Sequence, residues 1–424
     1  MRVFIFLSTL LAVNVAYAAF NNTEVVANAL PDFKYKKLNV VNVDVTSINA
    51  HVVIDEAAGT CLIESQLSYF QPQAGAPMLG LTEAFDIEFA VNEIFVNDKK
   101  LHPKYFISLD HPKVKVLKDT YKKVSTINKK FAAGNYLLRT KNDCYVSDKK
   151  EDMHFNLFLS DRSFGKHYLP KYFPAPLQHD KFQLQIKMTW LNGKKIQVFT
   201  NGETTQIAEN SYVTTFPAWY TSMSPFYEVS NCGMQSVSAI YNGIEKSIPV
   251  IVYGGKADQN ALALKDSLEL LSELEGIFGA FPHDSFLLRI ETEIWGGDGM
   301  EYAGAAQVQH YKPIYGYDLK YWRDVLGHEL VHNWYARSVM PKTTRSEFFD
   351  ELIAYWWENG MKASEKKDYV PDYMAYLVGG AEKFQNLLRD FAAAYKHQLI
   401  DIDDFVLFAK TNYGVDYSEI LIDD

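Results

Sequence analysis

Between about residues 35 and 250 the chain alternates apolar and polar residues in short runs, the period of strands with one buried face. Leu38 to Val45 is rich in valine and alternates. Phe85 to Val96 alternates too and runs into the turn pair Asn97-Asp98. Phe182 to Trp190 is followed by Asn192-Gly193, and Ile196 to Thr200 by Asn201-Gly202. Asn-Gly between alternating runs is a hairpin signal, because both residues tolerate the positive φ of a tight turn. The pattern predicts a large antiparallel β domain, its strands joined by turns, with few helices.

Near residue 256 the period changes. From Ala257 to Phe278 the leucines at 262, 264, 268, 271 and 274 recur at helical spacing, and Gly279 and Pro282 close the run. Phe286 to Ile290 reads as a strand, and Gly296-Gly297-Asp298-Gly299 as a glycine-rich segment. From Tyr321 onward the chain reads as helical, with one loop around Pro341 to Ser346. The expected fold class is α+β: a β domain over 19–250, then a mixed or helical domain over 251–424. A length of 424 residues already favours two cores over one.

The first residues read as a secretory signal. Arg2 supplies the positive start, Val3 to Val15 is a short apolar run, and Ala16-Tyr17-Ala18 fits a cleavage site. The expectation is a signal peptide over 1–18 and a secreted or periplasmic product. The run is too short to span a bilayer, and no later segment reaches the roughly 20 apolar residues a spanning helix needs. The net charge is −10, and no lysine-arginine cluster is dense enough to suggest a nucleic-acid surface. Of three cysteines, Cys61, Cys144 and Cys232, export would permit one disulfide and leave one thiol. Their spacing matches no zinc pattern, and a buried free thiol is an equal alternative for each.

The chemistry concentrates at His328-Glu-Leu-Val-His332. On a helix, positions four apart share one face, so both imidazoles reach one ion while Glu329 stands beside them to act on a water. A catalytic zinc takes three protein ligands and keeps one position open. Glu351, separated from His332 by eighteen residues and at the start of a second helical pattern, is the candidate third ligand. That interval lets one helix finish, a loop turn, and a second helix return a carboxylate. Glu358 lies two turns further along a similar face. It is placed either to accept the other ring N–H of a ligand histidine or to stand as a solvated carboxylate.

At these residues the sequence resembles the gluzincin aminopeptidases, the family of aminopeptidase N, with the glycyl aminopeptidases close behind. The resemblance covers roughly residues 180 to 420 and is densest from 278 to 358. His328-Glu-Leu-Val-His332-Asn-Trp334 with Glu351 is similar to the family's zinc pattern, and Ala354 and Glu358 match positions beyond its third ligand. Phe278-Gly-Ala-Phe-Pro282 resembles its turn between helix and strand. Asp298-Gly299-Met300-Glu301-Tyr302 resembles its exopeptidase motif.

The resemblance implies a thermolysin-like zinc metallopeptidase domain holding one Zn²⁺ per chain on His328, His332 and Glu351. It further implies Glu329 as the base, Gly299, Met300 and Glu301 as the substrate edge, and Glu358 behind a ligand histidine. A tyrosine some sixty residues past the third ligand would stabilise the oxyanion; Tyr413 and Tyr417, 62 and 66 residues on, are the candidates. The implied activity is removal of N-terminal residues from peptides. A thermolysin-like endopeptidase and a catalytically weak, zinc-stabilised binding protein are the alternatives. Several positions depart from the pattern: Asp298 and Leu352 stand where the family has glycine, and Tyr302 where it has asparagine. The sequence ends 73 residues after Glu351, sooner than the family's catalytic domain, which is read either as a short member of the family or as a domain incomplete at its C-terminus.

Overall fold

The computed structural model describes residues 32–80, 91–110, 123–144, 154–156, 169, 172, 174–176, 180–291, 299–309, 319–342 and 348–421. The signal segment, the first half of the 85–96 run and Asp298 lie outside them.

An eight-stranded sheet dominates the first part. Its order is Glu203–Ala208, Ser211–Thr215, Gln183–Leu191, Asp44–Asp55, Thr60–Gln71, Gly134–Asp143, Val91–Val96 and Lys99–Leu101. Alternation builds it: Ile48, Ala50, Val52 and Ile54 turn inward, and Ile63, Leu67, Ile186 and Met188 meet them in one core. Most neighbours are antiparallel, as expected, but Asp44–Asp55 runs parallel to Gln183–Leu191, so the sheet is mixed. The single strand expected over 38–45 is two. Leu38–Asn42 joins a separate five-stranded sheet, and the chain breaks at Val43 before Asp44–Asp55.

Neither Asn-Gly pair closes the expected hairpin. Gln183–Leu191 pairs with Ser211–Thr215, while Gln197–Thr200 pairs with Tyr227–Ser230 in a different sheet. The pairs mark corners where the chain changes sheets. At the first, the Glu56 carboxylate accepts from Trp190 Nε1 at 2.8 Å and Lys194 N at 3.2 Å. At the second, Asn201 accepts from Phe226 N at 2.8 Å and donates to Ser224 O at 2.8 Å and Ala303 O at 2.6 Å. A local turn signal was outweighed by side-chain bonds between distant segments.

The second part is built on a five-stranded sheet in the order Ser236–Asn242, Ser247–Tyr253, Phe286–Glu291, Ala305–Gln309, Gly299–Tyr302. Residue 250 therefore falls inside a strand, and this sheet begins ahead of the expected boundary. Helix α1, Ala257–Phe278, packs on it through Ala263, Leu270, Leu271, Leu274, Ile277 and Phe278. The helical reading was right there, but Leu262 lies on the exposed side. Helices α2 (Leu319–Val331), α3 (Phe348–Glu358), α4 (Val370–Val378), α5 (Ala381–Ala394) and α6 (Ile402–Tyr413) complete the core. No helix among the described residues is long and apolar enough to cross a membrane.

Gly299–Tyr302 is the edge strand of this sheet among the described residues. It forms a hairpin with Ala305–Gln309, in which Tyr302 faces Ala305 and the backbone turns at Gly304 with φ +67°. The first part pins this hairpin. Phe199 and Phe226 pack with Tyr253, Leu287 and Tyr302, and Tyr220 donates its hydroxyl to Ala303 O at 3.2 Å.

Cys61 and Cys144 form the disulfide, 83 residues apart, at the ends of adjacent strands; Cys232 stays outside it. Bridging a loop of that length removes much of the unfolded chain's freedom. Replacing both cysteines by serine is expected to lower stability by about 2–5 kcal/mol. Denaturant unfolding reads the loss; an unchanged midpoint would show that the bridge contributes nothing.

Candidate metal centre

Helix α2 carries His328, and His332 follows in the turn just past its last residue, Val331, with the two ring centroids 4.8 Å apart. Helix α3 crosses it and brings acids. Asp350 and Glu351 sit in the first turn of α3, where the helix dipole favours negative charge. The crossing depends on Gly327, because a Cβ there would drive into the Trp357 ring. With no side chain at 327, α3 lies close enough for its acids to reach the imidazoles.

Glu351 Oε2 stands 3.3 Å from His328 Nε2, and Glu358 Oε2 stands 3.3 Å from the same ring's Nδ1. Tyr355, between these acids on α3, sets its ring against His328 with centroids 4.8 Å apart. His332 is buried, with Nδ1 3.0 Å from Asp350 Oδ1. Glu358 thus bonds one nitrogen of His328, which orients that ring, and Asp350 brings a negative charge beside His332.

One ligand atom from each of His328, His332 and Glu351 lies within 4.8 Å of the others. Two nitrogens and a carboxylate oxygen suit zinc. Bond lengths of about 2.0–2.1 Å to a tetrahedral ion imply ligand separations of roughly 3.3 Å, which the His328–Glu351 pair already shows. Glu329 is buried, and its Oε2 has no hydrogen-bond partner among the described residues, so a basic oxygen is left available beside the histidines.

Electrostatics follow from this crowding. Burial, then the charge of Glu301, pushes the Glu329 pKa up to about 8. Burial opposes charging of His332, but Glu301 and Asp350 outweigh it and raise its pKa to about 9. Burial likewise opposes a charge on His328, and hydrogen bonds to Glu351 and Glu358 overcome it. Burial would raise the Glu351 pKa, but its bond to His328 wins and lowers it. Imidazoles must shed their protons to ligate, so metal binding here releases protons.

The edge strand runs past this group. A Cβ on Gly299 would come within 2.5 Å of Glu329 Oε1, so the bare backbone there is what lets strand and carboxylate meet. Glu301 is buried and offers an oxygen within 4.8 Å of ligand atoms of His332 and Asp350. Met300 packs to the other side, against the cluster of Phe226 and Tyr302.

The structure therefore brings together His328, Glu329, His332, Glu351, Glu358, Gly299 and Glu301. It does not bring in the two tyrosines. Tyr413 ends α6 and donates its hydroxyl to Asp390 of α5 at 2.6 Å. Tyr417 is fully buried, stacked on Phe405, and donates to Met374 O at 2.9 Å. Tyr417 packs in the helical core and Tyr413 ties α6 to α5 at the surface, so neither of these hydroxyl bonds is to a residue of the metal group. Three residues at the site escaped the sequence reading: Asp350, Asn333 and Arg337. Only Asp350 had a signal, its place beside Glu351 in a helix's first turn.

No protein-family profile matches the chain, and no curated protein matches it. Solved structures do. A point mutant of an M1 zinc metallopeptidase from Deinococcus radiodurans superposes with a TM-score of 0.58 at 12% identity, covering 88% of this chain and 92% of that one. A mutant of the Deinococcus enzyme bound to a Tyr-Ser-Ala substrate gives a TM-score of 0.55 at 12% identity, over 88% and 91%. Aminopeptidase A of Legionella pneumophila, in complex with aspartic acid, gives 0.60 at 12% identity, covering 90% of this chain and 49% of that chain. The fold is that of the M1 zinc metallopeptidases. The likeness runs through both parts of the chain and is not specific to aminopeptidase N.

Gly327→Ala is expected to cost about 1–3 kcal/mol through overpacking against Trp357 and to weaken metal binding by moving Glu351 off the histidines. Thermal melting and zinc competition with a chelator read the two effects. An unchanged melt and affinity would show that the α2–α3 crossing tolerates the methyl.

Proposed function

We propose that the chain is a zinc-dependent aminopeptidase that removes N-terminal residues from peptides. One observation carries the reading: His328, His332 and Glu351 converge on a single point, while an unpartnered Glu329 oxygen and the edge-strand Glu301 lie beside it. The fold shared with M1 zinc metallopeptidases supports the same reading. The Legionella neighbour's complex with an amino acid and the Deinococcus neighbour's complex with a tripeptide agree with it.

A bound zinc supplies a Lewis acid for the scissile carbonyl and lowers the pKa of water. The chain's own residues do the rest. Glu329, buried beside the two histidines, accepts the water's proton. It then passes that proton to the leaving amine. The edge strand can pair with an extended peptide backbone. Glu301 meets the peptide's terminal ammonium, whose loss of hydration is costly unless a carboxylate compensates it. Glu358 and Asp350 hold the imidazoles in orientation.

The proposal includes export. The apolar run at the amino terminus supports it, and so does the Cys61–Cys144 bridge, which suits an oxidising compartment.

One observation favours a second reading. Glu301 is already paired with the buried Arg337. In an endopeptidase that pair would be purely structural, and blocked peptides would be cut as readily as free ones. The aminopeptidase reading expects N-acetylated substrates to be cut far more slowly than the same peptides with a free amine. Equal rates would replace it with the endopeptidase reading.

Glu329→Gln keeps the shape of the side chain and removes its basicity. Turnover is expected to fall by about 10²–10⁴-fold with zinc content unchanged by elemental analysis. Near-normal turnover would place the base elsewhere.

A further inference from the structure

The metal arrangement does not call for Arg337, yet the fold buries it. Its side chain is 2% exposed, and burying a guanidinium is costly unless it is paired. The chain reaches it through a tight turn after α2. Arg337 N donates to His332 O at 3.0 Å, and Ala336 N to Val339 O at 2.9 Å. Ala336 has φ +98°, a backbone region that side-chain-bearing residues disfavour and that persists where the surroundings fix it. The turn aims Arg337 back at the edge hairpin. Its Nη2 donates to Glu301 Oε1, and its Nη1 to Ala336 O at 3.2 Å.

The same turn grips the hairpin a second time. Asn333 is fully buried; its Oδ1 accepts from Gly304 N at 2.8 Å and its Nδ2 donates to Glu329 O at 3.1 Å. One contact fixes the hairpin's backbone to the histidine helix, and the other fixes the Glu301 carboxylate.

Glu301 needs such a hold. Glu329 and Asp350 crowd its surroundings with like charge, and a lone carboxylate among them would swing away. The guanidinium anchors one oxygen of that carboxylate, Oε1, through Nη2, while its Nη1 is tied to the turn's own backbone at Ala336 O. A carboxylate held through one oxygen keeps lone pairs on the other for a substrate. We infer that Arg337 is a positioning residue for Glu301, setting its carboxylate to receive the free amino terminus of a peptide. The inference rests on the aminopeptidase reading and goes beyond it by adding a determinant of that specificity.

The test is steady-state kinetics on paired free and N-acetylated aminoacyl substrates. The wild type is compared with R337M, R337K, E301Q and the E301Q/R337M double variant, with zinc content and melting temperature measured for each. In R337M the KM for free-amine substrates is expected to rise about tenfold or more, with kcat within a few-fold and zinc unchanged. Hydrolysis of acetylated substrates should not move. R337K, which keeps the charge without the planar fork, should recover part of the loss. The double variant should be no worse than E301Q alone, because Arg337 acts through that carboxylate.

The inference is overturned if E301Q loses free-amine preference while R337M keeps the wild-type KM or lowers it. It is also overturned if the two losses multiply in the double variant. If E301Q leaves free-amine preference intact, the aminopeptidase reading itself fails, and the inference with it. Should R337M lose its zinc or its folding transition, R337K decides: a KM increase confined to free-amine substrates supports the inference, and a uniform loss on both substrate types overturns it.

Discussion

Like charge crowded into a buried cleft is the constraint on which this molecule turns. Glu301, Glu329, Asp350, Glu351 and Glu358 all stand around His328 and His332. Carboxylates removed from water repel one another and hold protons they would otherwise lose, as Glu329 does. Such a cluster is stable only if cations are built into it. The chain provides Arg337 at one side, and its two imidazoles and Glu351 frame a place for a divalent ion at the other. Relief of repulsion and the framing of a metal site thus coincide.

Close packing enforces the crowding. Two glycines remove side chains where elements must touch: Gly327 where α3 crosses α2, and Gly299 where the edge strand passes Glu329. Around them the fold is braced. Asn333 bonds the histidine helix to the turn at Gly304, while Asn201 and Tyr220 hold Ala303 from the other side. The hairpin that carries Glu301 is therefore gripped by both parts of the chain. A preorganised edge of this kind is what differential binding of a transition state requires.

What the sequence made legible was local. His328 and Glu329 share a helix that His332 directly follows, and Glu351 and Glu358 share the next one, so spacing alone placed them on facing surfaces. The strand and helix periods likewise located Gln183–Leu191, Gln197–Thr200, Phe286–Glu291 and α1. What it hid was tertiary. Tyr413 and Tyr417 sit at a suitable distance along the chain, but the Tyr413 hydroxyl is bonded to Asp390 of α5 at the surface and that of Tyr417 to the buried backbone at Met374. The Asn-Gly pairs look like hairpins, but the strands on either side belong to different sheets. Arg337 reads as an ordinary polar residue until the turn at Ala336 directs it into the cleft.

The central claim is that one zinc ion sits between His328, His332 and Glu351. Diffraction from zinc-replete crystals, collected on both sides of the zinc absorption edge, tests it without reference to any substrate. The account predicts one strong anomalous peak per chain, within bonding distance of both imidazoles and the Glu351 carboxylate, with Glu329 close by but not ligating. A peak elsewhere, or none at this place, would contradict it.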